Sequence, residues 1–427
     1  MFKEHPKGLR TLFFTEMWER FGFYTMMAIL VLYMDLDFGW GDEIKGVIYG
    51  VFLLAVYVFP ILGGYIADKW LGAKNTILMG AGVMTVGYAS LTASSLDRLF
   101  FFYAGLVTIA LGSGLFKANI SVVVGNLYES GSKLKDTAYN IFYMGINIGA
   151  LMAPLAATFL RNKYSFNACF AAASVGMLVS IAVLGLGKKT YEYAAKGSML
   201  SQSQQSTGEE SKPMSRTEEK MRIVSLIILF AIAFFFWMAF YQNGSALTLF
   251  AQRSTVHYPF LKAETYQFFN PFFIVLLTLI LIVPLFNYLR KKKKEPSSAA
   301  KICTGMFVAS VALLIMVAAS LSGGNKDMNI MSPGWLISTY FVITIAELLV
   351  SPMGLSFTSK VAPPRLQGSM MGMWFGATGL GAMAAGIFTS FYSKIPHHLF
   401  FLILSASLFF AGLLVLAFMK KLKQFST

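Results

Sequence analysis

Apolar stretches of about 20 residues recur along nearly the whole chain, and each is long enough to cross a bilayer as a helix. Only 13% of the 427 residues are charged, roughly half the share of about 25% usual in soluble domains. Mean hydropathy is +0.63. The chain is therefore expected to be an all-α integral membrane protein. Twelve helices are predicted near 11–34, 44–66, 75–95, 98–124, 137–160, 166–187, 221–251, 264–289, 301–321, 333–359, 366–391 and 397–420. They divide into two six-helix bundles, 1–187 and 221–427. The segment between them, 188–220, is polar and low in complexity (Ser201-Gln202-Ser203-Gln204-Gln205-Ser206), and it is expected to be a flexible cytoplasmic tether.

The net charge of +15 raises the question of nucleic acid, but the distribution of the charge answers it. With the amino terminus inside, 25 of the 35 Lys and Arg fall on the cytoplasmic side and 8 on the opposite side, while Arg20 and Lys117 lie within helices. That is the positive-inside bias of a multi-pass protein with both termini in the cytoplasm, and it leaves no nucleic-acid partner to invoke. Lys291 to Lys294 belong to this bias, with a specific anionic-lipid site there as the sharper alternative. The first helix is full length and charged, unlike a removable signal peptide. Cys169 and Cys303 lie inside predicted helices, and two cysteines make neither a metal site nor an expected disulfide. His5, His257, His397 and His398 fall in loops or at helix ends and are read as solvated.

Three ionisable residues interrupt the first apolar stretch: Glu16, Glu19 and Arg20. Ionised groups at bilayer depth are costly and persist where they face a partner or a wet cavity. Spacings of three and four residues place all three on one helix face. Two carboxylates against one guanidinium leave one negative charge over, so one acid is a candidate proton carrier. The plainer reading is a structural ion cluster near the helix end. Lys117 sits in mid-helix among small residues, within Gly112-Ser113-Gly114-Leu115-Phe116-Lys117-Ala118-Asn119, and its ammonium needs an anion unless it snorkels. Asn147 is an amide on an apolar face, serving either as helix glue or as a ligand group. Asn270 precedes Pro271, and Glu347 is placed as the one deep ionised group of the second half. Glu347 opposite Lys117 would make a bipolar cavity suited to a zwitterion. Between the second and third helices, Gly63-Gly64-Tyr65-Ile66-Ala67-Asp68-Lys69 reads as a tight loop in which Gly64 supplies the turn while Asp68 and Lys69 cap and pair nearby helix ends.

Together these residues resemble the proton-dependent oligopeptide transporter family of the major facilitator superfamily. Its first-helix Glu-x-x-Glu-Arg-Phe-x-(Phe/Tyr)-Tyr signature is met by Glu16, Glu19, Arg20, Phe21, Phe23 and Tyr24, and its Gly-Leu-Phe-Lys-x-Asn-Ile-Ser run by Gly114 to Ser121. Phe142 to Gly149, Glu347 to Leu355 and Gly368 to Phe375 match further family patterns, so the likeness spans nearly the whole chain. The loop at Gly64, Asp68 and Lys69 resembles the superfamily's gating element. The resemblance implies proton coupling through Glu16, Glu19, Arg20 and Lys117. It implies a peptide site at Lys117, Asn147, Asn270 and Glu347, with Tyr24, Tyr57 and Trp374 as pocket walls.

Three departures stand out. Met27 replaces an arginine that many members carry, and Tyr241 replaces an acid that can pair with it. Losing both costs less than losing one, because no buried charge is left without a partner. The 33-residue linker also has no room for the two extra helices of many bacterial members. The implied function is a proton-coupled symporter that imports di- and tripeptides across the cell membrane as a monomer, with the proton as coupling ion and no other cofactor. Alternatives are a transporter of another small solute (an amino-acid derivative or organic anion), a non-transporting peptide sensor, and a membrane enzyme. No nucleophile–base set, phosphate loop or metal spacing favours the enzyme.

Overall fold

The computed structural model describes residues 2–129, 132, 134–195, 216–363 and 366–424. Among these the chain is helical, with two isolated β-bridges, Thr255 to Met331 and Tyr258 to Leu261, as the extended pairings. The long helices are α1 (Lys7–Leu36), α2 (Asp42–Ile66), α3 (Gly72–Thr92), α4 (Leu99–Asn126), α5 (Leu134–Lys163) and α6 (Phe166–Leu186). They continue as α7 (Arg216–Phe240), α8 (Ala246–Arg253), α9 (Phe269–Leu277), α10 (Val283–Lys291), α11 (Ser298–Ser322), α12 (Pro333–Val361), α13 (Gln367–Thr389) and α14 (His397–Gln424). Ten stretches among the described residues are long and apolar enough to cross a membrane. One of them, Asp42–Thr92, runs through both α2 and α3, and α1 is not among the ten. Glu16, Glu19 and Arg20 lower the apolarity of α1.

Two predicted helices are broken where proline or side-chain anchoring disturbs the hydrogen-bond ladder. The predicted helix over 221–251 stops at Phe240, passes through a 3₁₀ turn at Tyr241–Gly244 and resumes as α8. The fully buried Gln242 fixes that turn, donating to the Ala385 carbonyl at 3.1 Å and accepting from Ser245 and Thr389. The predicted helix over 264–289 opens with a 3₁₀ segment, Ala263–Phe268, and carries a π-helical segment, Thr278–Ile282, just before Pro284. Proline has no N–H to offer the ladder, and a wider turn ahead of it absorbs the defect.

The chain forms two compact units. The first comprises Met1–Gly39 and Ala55–Glu210, the second Trp40–Leu54 and Ser211–Thr427. In the first unit α1 packs on α5 and α6, and α3 packs on α4 and α6. In the second unit α7 packs on α13 and α14, and α11 packs on α12 and α14. The two units thus repeat one pairing scheme, in which α1, α3, α4, α5 and α6 answer to α7, α11, α12, α13 and α14. In the first unit Ser180 donates to the Thr15 carbonyl at 2.8 Å, and a Cβ at Gly149 would run into the Met17 carbonyl oxygen, so α1 and α5 meet nearly backbone to backbone. Small residues permit such contacts, which supply packing energy where lipid offers no hydrophobic drive. The opening half of α2 clusters with the second unit because Gly46 and Gly50 lie against Gly386 on α13.

Part of the expected tether is ordered. Residues 188–195 are helical, with Tyr191, Ala194 and Ala195 buried. Thr190 hydrogen-bonds Thr11 at 3.0 Å, and Lys74 pairs with Glu192 at 2.6 Å. The polar composition that suggested a tether hides this one amphipathic turn. The rest of the stretch up to 215 lies outside the described residues, and 216–220 opens α7. The predicted loop at Gly64, Asp68 and Lys69 is also different. Gly64 is helical within α2, Ala67–Leu71 form a π turn, and the left-handed residue is Gly72, at φ +72°. Asp68 and Lys69 are exposed, and neither has an ion-pair partner among the described residues, while Lys74 makes the pairing expected of them.

Gly149→Val is expected to lower the melting temperature in detergent by several degrees, corresponding to about 1–3 kcal/mol of overpacking. A Cβ at Gly64 meets nothing within 4 Å, so Gly64→Ala should leave the melting temperature unchanged or slightly higher. Scanning fluorimetry of the purified variants checks both.

Candidate functional site

In the first unit, α1 brings its three ionised residues together as the spacing predicts. Glu16, Glu19 and Arg20 are 2%, 0% and 3% exposed. The Arg20 guanidinium donates through Nε and a terminal nitrogen to both oxygens of Glu19, the second contact at 2.6 Å. Its Nε also lies 3.2 Å from one oxygen of Glu16. The other Glu16 oxygen is buried and has no hydrogen-bond partner among the described residues. The surplus carboxylate charge is thus concentrated on Glu16, while Glu19 takes the two-pronged contact that fits a guanidinium best. Arg20 also lies 5.2 Å from the centre of the Phe23 ring.

Lys117, on α4, lies 4.9 Å over the Tyr57 ring and within electrostatic reach of Glu16 and Glu19. No carboxylate among the described residues lies within 4 Å of its ammonium, so it is neither snorkelled away nor locked into an ion pair. Tyr24 packs edge-on to Phe23 and reaches Arg20 electrostatically. Asn147, on α5, donates to the Tyr143 carbonyl of its own helix at 2.9 Å and, among the described residues, not to a neighbouring helix. Met27 is buried in α1. Tyr88 of α3 is a residue that sequence reasoning passed over: fully buried, its hydroxyl has no hydrogen-bond partner among the described residues, and it lies within reach of Glu19 and Arg20.

In the second unit, Asn270 donates to Glu347 at 2.8 Å and to Thr344 at 3.1 Å, so α9 and α12 carry one polar cluster. Glu347 is half-buried. Thr344 was not anticipated, although its position three residues before Glu347 on one helix face was legible. Trp374 departs from the expected pocket wall. It is 2% exposed and packs against Gly354 and Phe230, which makes it a packing residue of α12 and α13. Tyr241 is half-buried in the 3₁₀ turn, tilted against Trp237 at 5.7 Å, and its carbonyl accepts from Tyr49 at 3.4 Å.

Glu264, in the 3₁₀ segment before α9, is a second buried acid of this unit, with no exposure at all. The histidines all have partners, and His397 alone departs from the expected solvated ring by being buried, the other three being half-buried. His5 bonds Tyr128 at 2.8 Å, His257 bonds the Gln252 carbonyl, and His398 bonds Asn325. His397 is buried, stacked on Tyr392, with its ring nitrogen 3.7 Å from Asp327. It belongs to a network unseen in the sequence. Asp42 of α2 accepts from Arg253 of α8 at 2.8 and 3.0 Å, pairs with Lys45 at 2.7 Å and accepts from Ser393. The Asp42–Lys45 spacing was legible, but Arg253 lies more than 200 residues away. Cys169 and Cys303 are buried free thiols, and no His/Cys/Asp/Glu group among the described residues could hold a metal ion.

Comparison with known proteins places these features. The POT family pattern matches residues 74–206 and 193–407. The chain is 32% identical to the uncharacterized transporter YclF of Bacillus subtilis, over 93% of this chain and 90% of that protein. It is 31% identical to the peptide transporter YePEPT of Yersinia enterocolitica, over 90% and 87%, and 32% identical to the dipeptide and tripeptide permease A of Serratia proteamaculans, over 90% and 83%. A crystal structure of a POT peptide transporter with alafosfalin superposes with a TM-score of 0.88 at 27% identity, covering 100% of this chain and 97% of that one. A POT transporter in complex with 5-aminolevulinic acid superposes at 0.84 with 25% identity, covering 99% and 98%. The fold is therefore the all-helical major facilitator arrangement of multi-pass transporters, and enzymatic chemistry is not what this family does. The chain belongs to the POT family of membrane transporters.

Proposed function

We propose that this chain is a proton-coupled symporter of the plasma membrane that imports di- and tripeptides by alternating access, with both termini in the cytoplasm. The names of the relatives in Yersinia and Serratia support the cargo. The observation that carries the coupling is the buried cluster of two carboxylates sharing one guanidinium on α1. Glu16 takes the proton in this state, because its free oxygen has no donor while Glu19 holds both arms of Arg20. Lys117 and Arg20 exchange partners between these acids and the peptide carboxylate. Asn147 and Asn270 hold the peptide backbone, and Glu347 receives the amino terminus. Tyr24 and Tyr57 flank the substrate. Gly64, Asp68 and Lys69 serve gating at the α2–α3 turn.

A different small solute is the second reading, favoured by Met27 and Tyr241, which are uncharged at two positions where many members carry opposite charges. The likeness to a POT transporter bound to 5-aminolevulinic acid points the same way.

Uptake of labelled dialanine into proteoliposomes separates these readings. Wild-type protein is expected to accumulate dialanine only with an inward proton gradient. Glu16→Gln, which mimics the protonated acid, should lose gradient-driven accumulation by at least tenfold yet keep peptide exchange. Glu19→Gln removes Arg20's two-pronged partner and should impair both, since leaving one member of a buried pair alone costs about 3–5 kcal/mol. Binding without accumulation would indicate a sensor, and neither binding nor uptake would move the cargo to another solute.

Met27→Arg alone should reduce the yield of folded protein and its transport more than the double change with Tyr241→Glu. Equal behaviour of the two would remove the pairing argument. Asn270→Ala and Glu347→Gln should each weaken dipeptide affinity about tenfold, a loss near 1.4 kcal/mol. Combined, they should cost clearly less than the sum, as groups in direct contact do, and calorimetric titration of the three variants measures this.

A further inference from the structure

The end of α10 carries charges that neither packing nor the proposed transport cycle uses. Arg290 and Lys301 both engage Glu295, at 2.9 and 2.7 Å. Their hydrogen bonds, Arg290's first, hold Glu295 down to about 2, and Lys301 is itself buried with its ammonium 4.0 Å over the Phe286 ring. Glu295 is thus already engaged and does not neutralise the residues between. Lys291, Lys292, Lys293 and Lys294 are all exposed, and none has a carboxylate within 4 Å among the described residues. Lys293 adopts a left-handed φ of 53°, and the Lys294 amide closes on the Leu289 carbonyl at 2.9 Å, so the four lysines share one tight turn at the end of α10.

The surface leading into this turn is apolar. Leu279, Ile280, Val283, Leu285 and Tyr288 are exposed along the π segment and α10, within a stretch apolar enough to cross a membrane. Tyr288 stands at the junction, with the Lys292 ammonium 4.5 Å over its ring. An aromatic residue between an acyl-facing surface and a run of cations marks the headgroup level of a bilayer. A soluble polyanion would use the lysines but not the apolar face beside them.

We propose that the Lys291–Lys294 turn, with the outer face of α10, is a binding site for an anionic phospholipid of the cytoplasmic leaflet. Each lysine near an anionic surface contributes roughly a fivefold gain in occupancy, about 1 kcal/mol. Purified protein is equilibrated with an equimolar mixture of phosphatidylglycerol and phosphatidylcholine in detergent, and bound lipids are counted by native mass spectrometry. Wild type should retain phosphatidylglycerol selectively. Replacing all four lysines by Gln should cut that selectivity at least tenfold, and replacing them by Arg should preserve it. Single and double Lys→Gln variants should fall in graded steps, which keeps the test valid if the quadruple variant does not fold. Equal retention by wild type and the Gln variants would overturn the site, as would loss in the Arg variant. Displacement of phosphatidylglycerol by inorganic phosphate would also overturn it, by assigning the turn to a soluble anion.

Discussion

An arginine and two glutamates buried on one membrane helix must be compensated close at hand, because lipid hydrocarbon offers an ionised group nothing in place of water. Much of the first unit is arranged around that demand. The helix that carries these three residues is packed on α5 and α6 by close backbone contact at Gly149 and the Ser180 to Thr15 hydrogen bond. Here one guanidinium meets three of the four carboxylate oxygens. The oxygen left over, on Glu16, makes the cluster responsive to a proton and not merely a structural ion pair.

The second unit uses the same helix pairing with different chemistry. Lys117 on α4 and Glu347 on α12 occupy equivalent helices of the repeat, yet they carry opposite charges and opposite states of satisfaction. Glu347 has a neutral amide donor in Asn270, whereas Lys117 has an aromatic face and no carboxylate within ion-pair distance. Duplicated architecture therefore supplies two helices in matching roles, and single side chains decide what each offers. The broken helices fall in the second unit, where Pro284 and the anchored Gln242 interrupt the ladder. Tyr241 lies in the turn anchored by Gln242, and Asn270 lies just after the 3₁₀ segment that opens the other broken helix.

Residues whose chemistry is local were legible from spacing. Glu16, Glu19 and Arg20 are neighbours by helical period alone, and apart from the two broken helices the apolar runs mark the long helices to within a few residues. Residues whose partners are distant in the chain were misread. His397 looked like a loop residue and is buried on Tyr392, Trp374 looked like a pocket wall and is packed on Gly354, and 188–195 looked like tether and is docked on α1 and α3. Composition reports an average over a segment, and these outcomes turn on individual contacts.

The sequence by itself determined that this chain is a bundle of membrane helices, because a run of about 20 apolar residues has few other ways to satisfy its backbone. It also determined that α1 carries a charged face, because helical periodicity is a property of the chain. Only the tertiary structure decided which acid Arg20 grips with both arms, that Asn270 reaches Glu347, and that Arg253 reaches Asp42 across more than 200 residues. Those pairings depend on which helices pack side by side, and packing is settled by the fit of small residues and buried polar groups across neighbouring helices rather than by the periodicity of any one of them.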